Sequence, residues 1–240
     1  MSETVAPIQV YVCAVSVADS DPHLAQLSSW LSPAEMARAQ RFHQEADRER
    51  YTIGRALIRR VCANDVGCDP RDVVLNESSN GKPRLFSNTS LLEFNLSHSG
   101  DCVIIAWCAG KAVGVDVEAL DRKMTSSFTE MAATAFSDSE REVLQVYKDK
   151  HMAETFYRIW VRKEAVLKAE GCGLGGNTKS FSVSSLNQGG VEWLDEVRFP
   201  ESGRVWKIID LTTLPNHAAA AAVVPGSIIT QCTPHEMGLW

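Results

Sequence analysis

Apolar and polar positions along the chain predict strands in several short segments and helices in longer periodic ones. Apolar runs over 9–15 and 102–108 predict two strands. Shorter apolar segments predict further strands at 73–76, 94–96, 112–118, 181–183, 191–194, 205–209 and 218–224. The last segment contains five consecutive alanines, which could also form a helix, but the flanking Pro215 and Pro225 leave little room for one.

Helices are predicted where apolar residues recur every three to four positions, and capping residues mark where two of them begin. The predicted helices span 21–31, 33–64 with a break, 126–135, 138–147 and 152–170. Ser32, Pro33 and Glu35 match an N-cap, a first helical residue and a capping-box partner. Ser137 and Glu140 repeat the capping box. Helices are therefore expected to begin directly after Ser32 and Ser137.

The order of these elements indicates an α+β fold. Helices precede strands in the first part of the chain and again in the second. We predict two α+β halves, residues 1–115 and 116–240, packed as one unit. Strands 102–108 and 112–118 flank an Ala-Gly-Lys turn and are expected to pair as a hairpin. Residues 77–84 contain Asn-Gly and Pro83 and are expected to form a loop.

The composition is that of a globular protein with free thiols. Apolar residues make up 45% of the 240 positions and charged residues 22%, which allows a substantial core. No apolar stretch approaches the roughly 18 residues of a membrane span, and the first residues lack the pattern of a secretion signal. The seven cysteines are scattered, with no CxxC pair, which favours a reducing cytosol over a zinc or disulfide framework. We expect a cytoplasmic protein with no membrane partner.

The charge is unevenly distributed. The net charge of −6 disfavours general nucleic-acid binding. Residues 38–60, however, contain seven arginines against three acidic residues. Such a segment suits an anionic ligand or partner, or a solvated helix with ion pairs one turn apart, and composition leaves both open.

Three carboxylates and one lysine form a candidate metal and phosphate site. Asp116 and Glu118 are two apart on a predicted strand and therefore share one face, although a lone pair of this kind is often the solvent face of an edge strand. Glu164 and Lys168 share one face of a predicted helix at i and i+4, a spacing that is also common in exposed ion pairs. Together, the three carboxylates could hold one Mg²⁺, and Lys168 could bind a phosphate.

Two loop motifs add candidate binding residues. Ser97 and His98 follow a predicted strand, but sequence neighbours diverge and no acidic third residue is indicated. Binding a phosphate or a ring therefore suits them better than nucleophilic catalysis, and a plain turn histidine remains the alternative. Lys82 and Pro83 lie in a Gly-Lys-Pro-Arg segment, whose basic residues could clamp a phosphate.

Taken in order, these motifs resemble the Sfp-type phosphopantetheinyl transferases. The matching blocks are LSPAEMARAQRF (31–42), DRERYTIGRALIRR (47–60), NGKPRL (80–85), FNLSHSG (94–100), GVDVE (114–118), AFSDSE (135–140) and FYRIWVRKEAVLKAEGCGL (156–174). GVDVE and the last block are the most specific of these motifs. The resemblance implies two pseudo-symmetric α+β halves with the active site in the cleft between them.

The resemblance also implies roles for individual residues. Mg²⁺ would be held by Asp116, Glu118 and Glu164, with Asp116, Glu164 and Lys168 as the catalytic residues. Coenzyme A would be bound by Arg38, Arg50, Lys82, Pro83, Ser97, His98 and Lys168. Two positions depart from the family pattern, because Glu35 stands where a basic residue is common and Tyr51 where a smaller hydroxyl residue occurs in some members. These departures bear on how the adenosine phosphate is held.

The implied activity is transfer of the 4'-phosphopantetheine arm of coenzyme A to a serine of an apo acyl or peptidyl carrier protein, which leaves adenosine 3',5'-bisphosphate. Mg²⁺ and Lys168 would stabilise the leaving phosphate, and Glu164 would accept the serine proton, directly or through a metal-bound water. A monomer is expected, since the two halves already form one cleft. The alternatives are a coenzyme A-dependent acyltransferase and a non-catalytic carrier-binding module.

Overall fold

The structure is a computed structural model that describes residues 7–78, 81–120, 125–147, 151–172 and 177–240. Three residues of the resembling blocks, at 80, 173 and 174, lie outside the described residues. The chain divides into two compact units. The first contains the chain up to Ala112 together with Gly226–Trp240, and the second is Val113–Pro225. This division differs from the predicted halves, because 226–240 belongs with the N-terminal part.

Seven helices and twelve strands are described. The helices are α1 (Val17–Ser20), α2 (Leu24–Ser29), α3 (Pro33–Ala39), α4 (Glu45–Val66), α5 (Thr125–Ala135), α6 (Asp138–Val146) and α7 (Met152–Glu170). The strands are β1 (Gln9–Ser16), β2 (Leu75–Glu77), β3 (Pro83–Leu85), β4 (Leu92–Ser99), β5 (Cys102–Ala109), β6 (Gly114–Ala119), β7 (Ser184–Asn187), β8 (Gly190–Trp193), β9 (Glu196–Arg198), β10 (Val205–Asp210), β11 (His217–Val223) and β12 (Ile228–Cys232). The α+β class is confirmed. No helix among the described residues is long and apolar enough to cross a membrane.

Both predicted capping boxes are confirmed. Ser32 Oγ accepts from the Glu35 amide at 3.3 Å, and Glu35 Oε2 accepts from the Ser32 amide at 2.8 Å. Ser137 and Glu140 make the same reciprocal contacts at 3.4 and 2.9 Å. Each box satisfies amides that the first helical turn leaves without a partner in the helix. Helices α3 and α6 therefore begin where the sequence predicts.

The first unit is built on a four-stranded sheet in the order β12-β1-β5-β4. β1 pairs parallel with β12 and antiparallel with β5, while β4 and β5 are antiparallel. Helix α4 packs against β4 and β5 and contributes Ile53, Leu57, Ile58 and Val61 to the buried core. The amphipathic pattern of α4 thus places one face on this sheet and leaves the other for polar contacts.

The predicted hairpin of 102–108 with 112–118 is wrong. β5 pairs with β4 through a turn at Gly100, whose φ of 54° is a left-handed conformation that glycine adopts readily. β6 pairs with β11 instead. The glycine at 110 does turn the chain, with φ of 70°, but its amide donates to Leu91 O at 2.7 Å. The chain therefore leaves the first sheet at this turn.

The predicted loop over 77–84 contains part of a second small sheet. β2 and β3 pair antiparallel, with Asn76 opposite Arg84 and Glu77 opposite Pro83. Pro83 is tolerated because it stands at the first residue of a two-stranded pair, where a missing amide costs little. The β2–β3 pair places Lys82 and Pro83 near residues of β4.

The second unit contains an antiparallel sheet in the order β6-β11-β10-β9 and a β7–β8 hairpin. Helix α7 packs on β6 and β11. A Cβ atom built on Gly114 would lie 2.0 Å from Ala165 O and 2.6 Å from Ala169 N, so this glycine permits a close approach of α7. Ala220 and Ala222, opposite Asp116 and Gly114, are fully buried. The alanine run is a strand, as predicted.

Candidate active site

The face of β6 that receives helix α7 carries Asp116 and Glu118. Side chains two apart on a strand share a face, so both carboxylates project on the same side as Gly114. Gly114 is in contact distance of the α7 backbone, and that fixes the direction of this face. Asp116 is only 4% exposed, whereas Glu118 is half-buried. The strand therefore presents one buried and one more accessible carboxylate to α7, and the solvent-face interpretation is wrong for Asp116.

Lys168 on α7 forms an ion pair with Asp116. Lys168 Nζ donates to Asp116 Oδ1 at 2.6 Å. One turn earlier on the same helix face, Glu164 is close enough to be influenced by both β6 carboxylates. Burial raises the pKa of Glu164, the negative charges of Asp116 and Glu118 raise it further, and Lys168 opposes them. The structure thus brings together all four residues predicted for the metal and phosphate site.

The position of α7 is fixed from its other side by a buried ion pair. Lys163 Nζ lies 2.8 and 2.7 Å from the two carboxylate oxygens of Glu140 and donates to Phe181 O at 2.6 Å. Glu140 Oε1 also accepts from the Val183 amide at 2.8 Å. Lys163 and Glu140 side chains are 2% and 0% exposed. Because Lys163 immediately precedes Glu164, this pair sets the rotation of α7 that aims Glu164 at β6.

The three carboxylates suit a hard divalent cation by their chemistry. Mg²⁺ prefers oxygen ligands, and an accumulation of negative charge that raises a carboxyl pKa is relieved by a cation. In the described parts of the chain, no group of three or more His, Cys, Asp or Glu side chains has an arrangement that could hold a metal ion. Lys168 supplies the positive charge next to Asp116 in this structure. The donor types fit Mg²⁺, and its binding stays a proposal.

The first unit contains a basic cavity of about 290 Å³. It is lined by Arg38, Arg50, Tyr51, Arg55, Ile58, Gly81, Lys82, Pro83, Phe94, Asn95, Leu96 and His98. Four of these side chains are arginine or lysine, and none of the described lining residues is a carboxylate. An anionic ligand is therefore electrostatically favoured here. Arg38, Arg50, Lys82, Pro83 and His98 were all predicted to bind the coenzyme.

The basic side chains of this cavity are held in different ways. Arg50 donates to Gly100 O at 2.8 Å and to Asp47 Oδ1 at 2.5 Å, which ties α4 to the β4–β5 turn. Burial lowers the pKa of Lys82, Glu93 raises it, and Arg84 lowers it further. A buried ammonium group of this kind is stabilised when an anion binds beside it. Arg50 is therefore held by acceptors of the protein, whereas burial makes the charged form of Lys82 less favourable.

Ser97 and His98 do not act together. They are consecutive on β4, so their side chains project from opposite faces of the sheet. His98 is exposed and lines the basic cavity, whereas Ser97 is buried and is not among the described residues that line it. This geometry agrees with the sequence argument against a Ser–His nucleophile. The coenzyme contact predicted for Ser97 stays a prediction.

Arg55 is a cavity residue that the sequence did not single out. It was counted within the basic segment but not assigned a role. Tyr51 and Arg55 are one turn apart on α4, and both line the cavity. The signal that could have found Arg55 is its i+4 spacing from Tyr51, because that spacing places the two side chains on one helix face.

Two family descriptions match the chain, one in each part. The description "4'-phosphopantetheinyl transferase superfamily" matches residues 112–222, and "4'-phosphopantetheinyl transferase, N-terminal" matches residues 18–109. The two matches meet near the boundary between the compact units. Together they cover both the basic cavity and the carboxylate site.

Curated proteins similar to the chain carry the same designation. The chain is 34% identical over 218 residues to the 4'-phosphopantetheinyl transferase HetI of Nostoc sp., which covers 90% of this chain and 87% of that protein. It is 32% identical over 202 residues to a phosphopantetheinyl transferase of Thraustochytrium sp., covering 79% and 70%. It is 28% identical over 207 residues to the 4'-phosphopantetheinyl transferase Sfp of Bacillus subtilis, covering 86% and 84%.

Proposed function

This chain belongs to the 4'-phosphopantetheinyl transferase superfamily, and we propose that it moves the 4'-phosphopantetheine arm of coenzyme A onto a serine of an apo carrier protein at the carboxylate site of β6 and α7. The observation that carries the assignment of the site is the Lys168–Asp116 ion pair at 2.6 Å, next to Glu164. The reaction breaks a pyrophosphate bond and forms a phosphodiester with the serine oxygen. Adenosine 3',5'-bisphosphate leaves.

Asp116, Glu118 and Glu164 are proposed to hold Mg²⁺. When bound, the ion neutralises negative charge on the pyrophosphate oxygens as the bond breaks. The three side chains supply only carboxylate oxygens, which are the ligands that Mg²⁺ prefers. The burial of Asp116 keeps it in place before the substrate arrives. These residues therefore act by binding and orientation.

Lys168 is proposed to stabilise negative charge at the reacting centre, and Glu164 is proposed to accept a proton there. Lys168 exchanges its contact with Asp116 for oxygens of the leaving phosphate, where its charge stabilises the transition state. Glu164 accepts the proton of the carrier serine, directly or through water. Burial and two neighbouring carboxylates raise the pKa of Glu164 in the absence of a metal ion, but ligation of Mg²⁺ would lower its basicity, which favours the route through water.

The basic cavity of the first unit is proposed to bind the nucleotide part of coenzyme A. Four cationic side chains, with Tyr51 and His98 beside them, suit phosphate groups and an adenine ring. The proposed binding residues are Arg38, Arg50, Lys82, Pro83 and His98. For Ser97, a contact with coenzyme A is proposed from the family resemblance alone.

The wider setting is also a proposal. We propose a cytoplasmic monomer that binds neither nucleic acid nor membrane. The net charge of −6 argues against general nucleic-acid binding, and all seven cysteines are free thiols, which suits a reducing compartment.

The test is intact-mass spectrometry of purified apo carrier proteins incubated with the protein, coenzyme A and Mg²⁺. Carriers of the fatty-acid, polyketide and peptide classes are compared, each with an EDTA control. A mass gain of one phosphopantetheine arm that EDTA abolishes supports the transfer and the metal together. If no carrier class gains mass, the proposed transfer is contradicted. If the mass gain persists in EDTA, the proposed requirement for Mg²⁺ is contradicted.

A further inference from the structure

Two cysteines of the first unit stand side by side on neighbouring strands. Cys13 on β1 has Cys232 on β12 as its partner in the parallel register. Neighbouring strands lie about 4.8 Å apart, and the Cα atoms of disulfide-bonded cysteines are roughly 4.4–6.8 Å apart. The register therefore brings the two backbones to a separation that a disulfide bond spans.

The two side chains also lie on the same face of the sheet. Cys13 belongs to the buried core that the sheet forms with helix α4, together with Val15 and Leu57. Cys232 packs against that same core. A disulfide bond needs both Cβ atoms on one side of the sheet, so the pair meets this second geometric requirement.

This arrangement distinguishes the pair from the other cysteines on strands. Within the described part of the chain, Cys102 and Cys108 lie opposite residues that carry no sulfur. Cys68 and Cys172 are exposed and lie outside the strands. The pair of Cys13 and Cys232 is thus the one place where the described strands set two thiols opposite each other.

The two thiols differ in their access to solvent. Cys13 is fully buried, whereas Cys232 is half-buried on an outer strand of the sheet. An oxidant in solution therefore reaches Cys232 first, and Cys13 lies behind it as the resolving thiol. Burial raises the pKa of Cys13 to about 12 and also raises the pKa of Cys232. Because little thiolate is present at neutral pH, the bond forms slowly, and poor leaving groups make it slow to reduce.

We propose that Cys13 and Cys232 form a disulfide bond when low-molecular-weight disulfides accumulate, and that this bond fastens β12 to β1. The Cys232 thiolate attacks one sulfur of the small disulfide, which releases one small thiol and leaves a mixed disulfide on Cys232. The Cys13 thiolate then attacks Cys232 Sγ and releases the second small thiol. The two cysteine sulfurs are oxidised, the small disulfide is reduced to two thiols, and these thiols take up the two cysteine protons.

The bond would hold the C-terminal segment in place. Met237 and Leu239, shortly after Cys232, are buried in the core of the same unit. Among the described strands, β12 has β1 as its only neighbour, so its separation from β1 is a local opening that exposes this core. A covalent link at the end of β12 opposes that opening. The inference goes beyond the proposed transfer reaction and does not depend on it.

The first test is peptide mapping of the folded protein after incubation with oxidised glutathione. The parent chain carries Cys68→Ala and Cys172→Ala, because these exposed thiols would otherwise form mixed disulfides. We expect a species that has lost the mass of two hydrogen atoms, with the β1 and β12 peptides linked until a reductant is added. In Cys13→Ala, a glutathione adduct should remain on Cys232. Cys102→Ala is the matched control, because it removes a buried thiol of the same sheet, and it should still form the bond.

The second test is hydrogen–deuterium exchange of Gly226–Trp240 in the oxidised and the reduced parent protein. We expect oxidation to slow exchange of the β12 amides about tenfold, and reduction to reverse the effect. Both readouts use the parent protein, so they do not depend on how well Cys13→Ala folds. A lasting glutathione adduct on Cys232 in the parent, or linkage of another cysteine pair, would overturn the inference. Unchanged exchange in the linked protein would contradict the fastening of β12.

Discussion

Lys168 Nζ donates to Asp116 Oδ1 at 2.6 Å, and this contact joins helix α7 to strand β6 between residues 52 positions apart. Asp116 is almost fully buried, and the ammonium group of Lys168 lies beside it where water is largely excluded. The same lysine opposes the rise in the pKa of Glu164. Lys168 therefore organises the carboxylate site before any substrate is present.

Replacing Lys168 should lower the catalytic rate strongly and weaken substrate binding only slightly. For Lys168→Gln we expect kcat to fall about 100-fold, as when one preorganised electrostatic contact to a transition state is removed, with a small change in KM for the carrier. Carrier modification followed by intact mass under saturating coenzyme A and Mg²⁺ measures this. Lys179→Gln, at an exposed position of the same unit, is the control and should keep wild-type rates. A Lys168 variant with normal kcat would remove this residue from the mechanism.

Gly114→Ala should displace α7 from β6. The added Cβ would lie 2.0 Å from Ala165 O, which is backbone and cannot move without the helix. We expect a loss of about 3 kcal/mol in the free energy of unfolding, at the upper end for overpacking, and a loss of transferase activity. Gly54→Ala is the matched control, because its Cβ meets only the mobile end of the Leu96 side chain at 2.8 Å. Denaturant unfolding of both variants is the measurement, and similar losses in the two would contradict the argument.

The buried Lys163–Glu140 pair should be sensitive to removal of one partner. Lys163→Met leaves the Glu140 carboxylate buried without its ammonium group, which costs about 3–5 kcal/mol in comparable buried pairs. The double variant Lys163→Met with Glu140→Gln should recover part of that loss, since no uncompensated charge remains. Urea unfolding of the two single variants and the double variant gives the coupling energy. Additive losses would mean that the pair is not coupled.

Stability at acid pH should depend on Glu35. Its folded-state pKa is lowered below the ordinary value of 4.5, so it stabilises the fold above that pH. The stabilisation is lost as the pH falls through the lower, folded-state pKa. The difference in unfolding free energy between wild type and Glu35→Gln should therefore be largest near neutral pH and shrink below about 4.5. Urea titrations at a series of pH values test this, and a difference that grows in acid would have the wrong sign.

Local features of the fold were predictable because neighbouring residues determine them. The capping boxes at Ser32 and Ser137, the extent of α7 and the strand character of the alanine run all follow from short-range patterns. The carboxylate site was predictable for a similar reason. Residues two apart on β6 share a face, and so do residues four apart on α7. The resemblance to the family implied that these two faces meet.

Pairing between distant segments was not predictable in this way. An apolar strand, a glycine turn and a second apolar strand have the pattern of a hairpin, yet β5 and β6 belong to different sheets. β12 has a mixed sequence, and nothing in its own pattern indicates that it pairs with β1. Arg55 was not identified because its contact with Glu35 joins residues twenty positions apart on different helices. Each of these relations is set by tertiary packing.

The parallel pairing of β1 with β12 has a consequence for how the protein is made. Residues Gln9–Cys13 of β1 lie opposite Ile228–Cys232, so the entire second unit is synthesised between the two partners. Met237 and Leu239, which follow β12, are buried in the core of the first unit. While the second unit emerges from the ribosome, the outer edge of β1 has no strand beside it and can pair with other chains. The N-terminal unit is thus begun first and completed last, and the nascent chain is most open to aggregation during that interval.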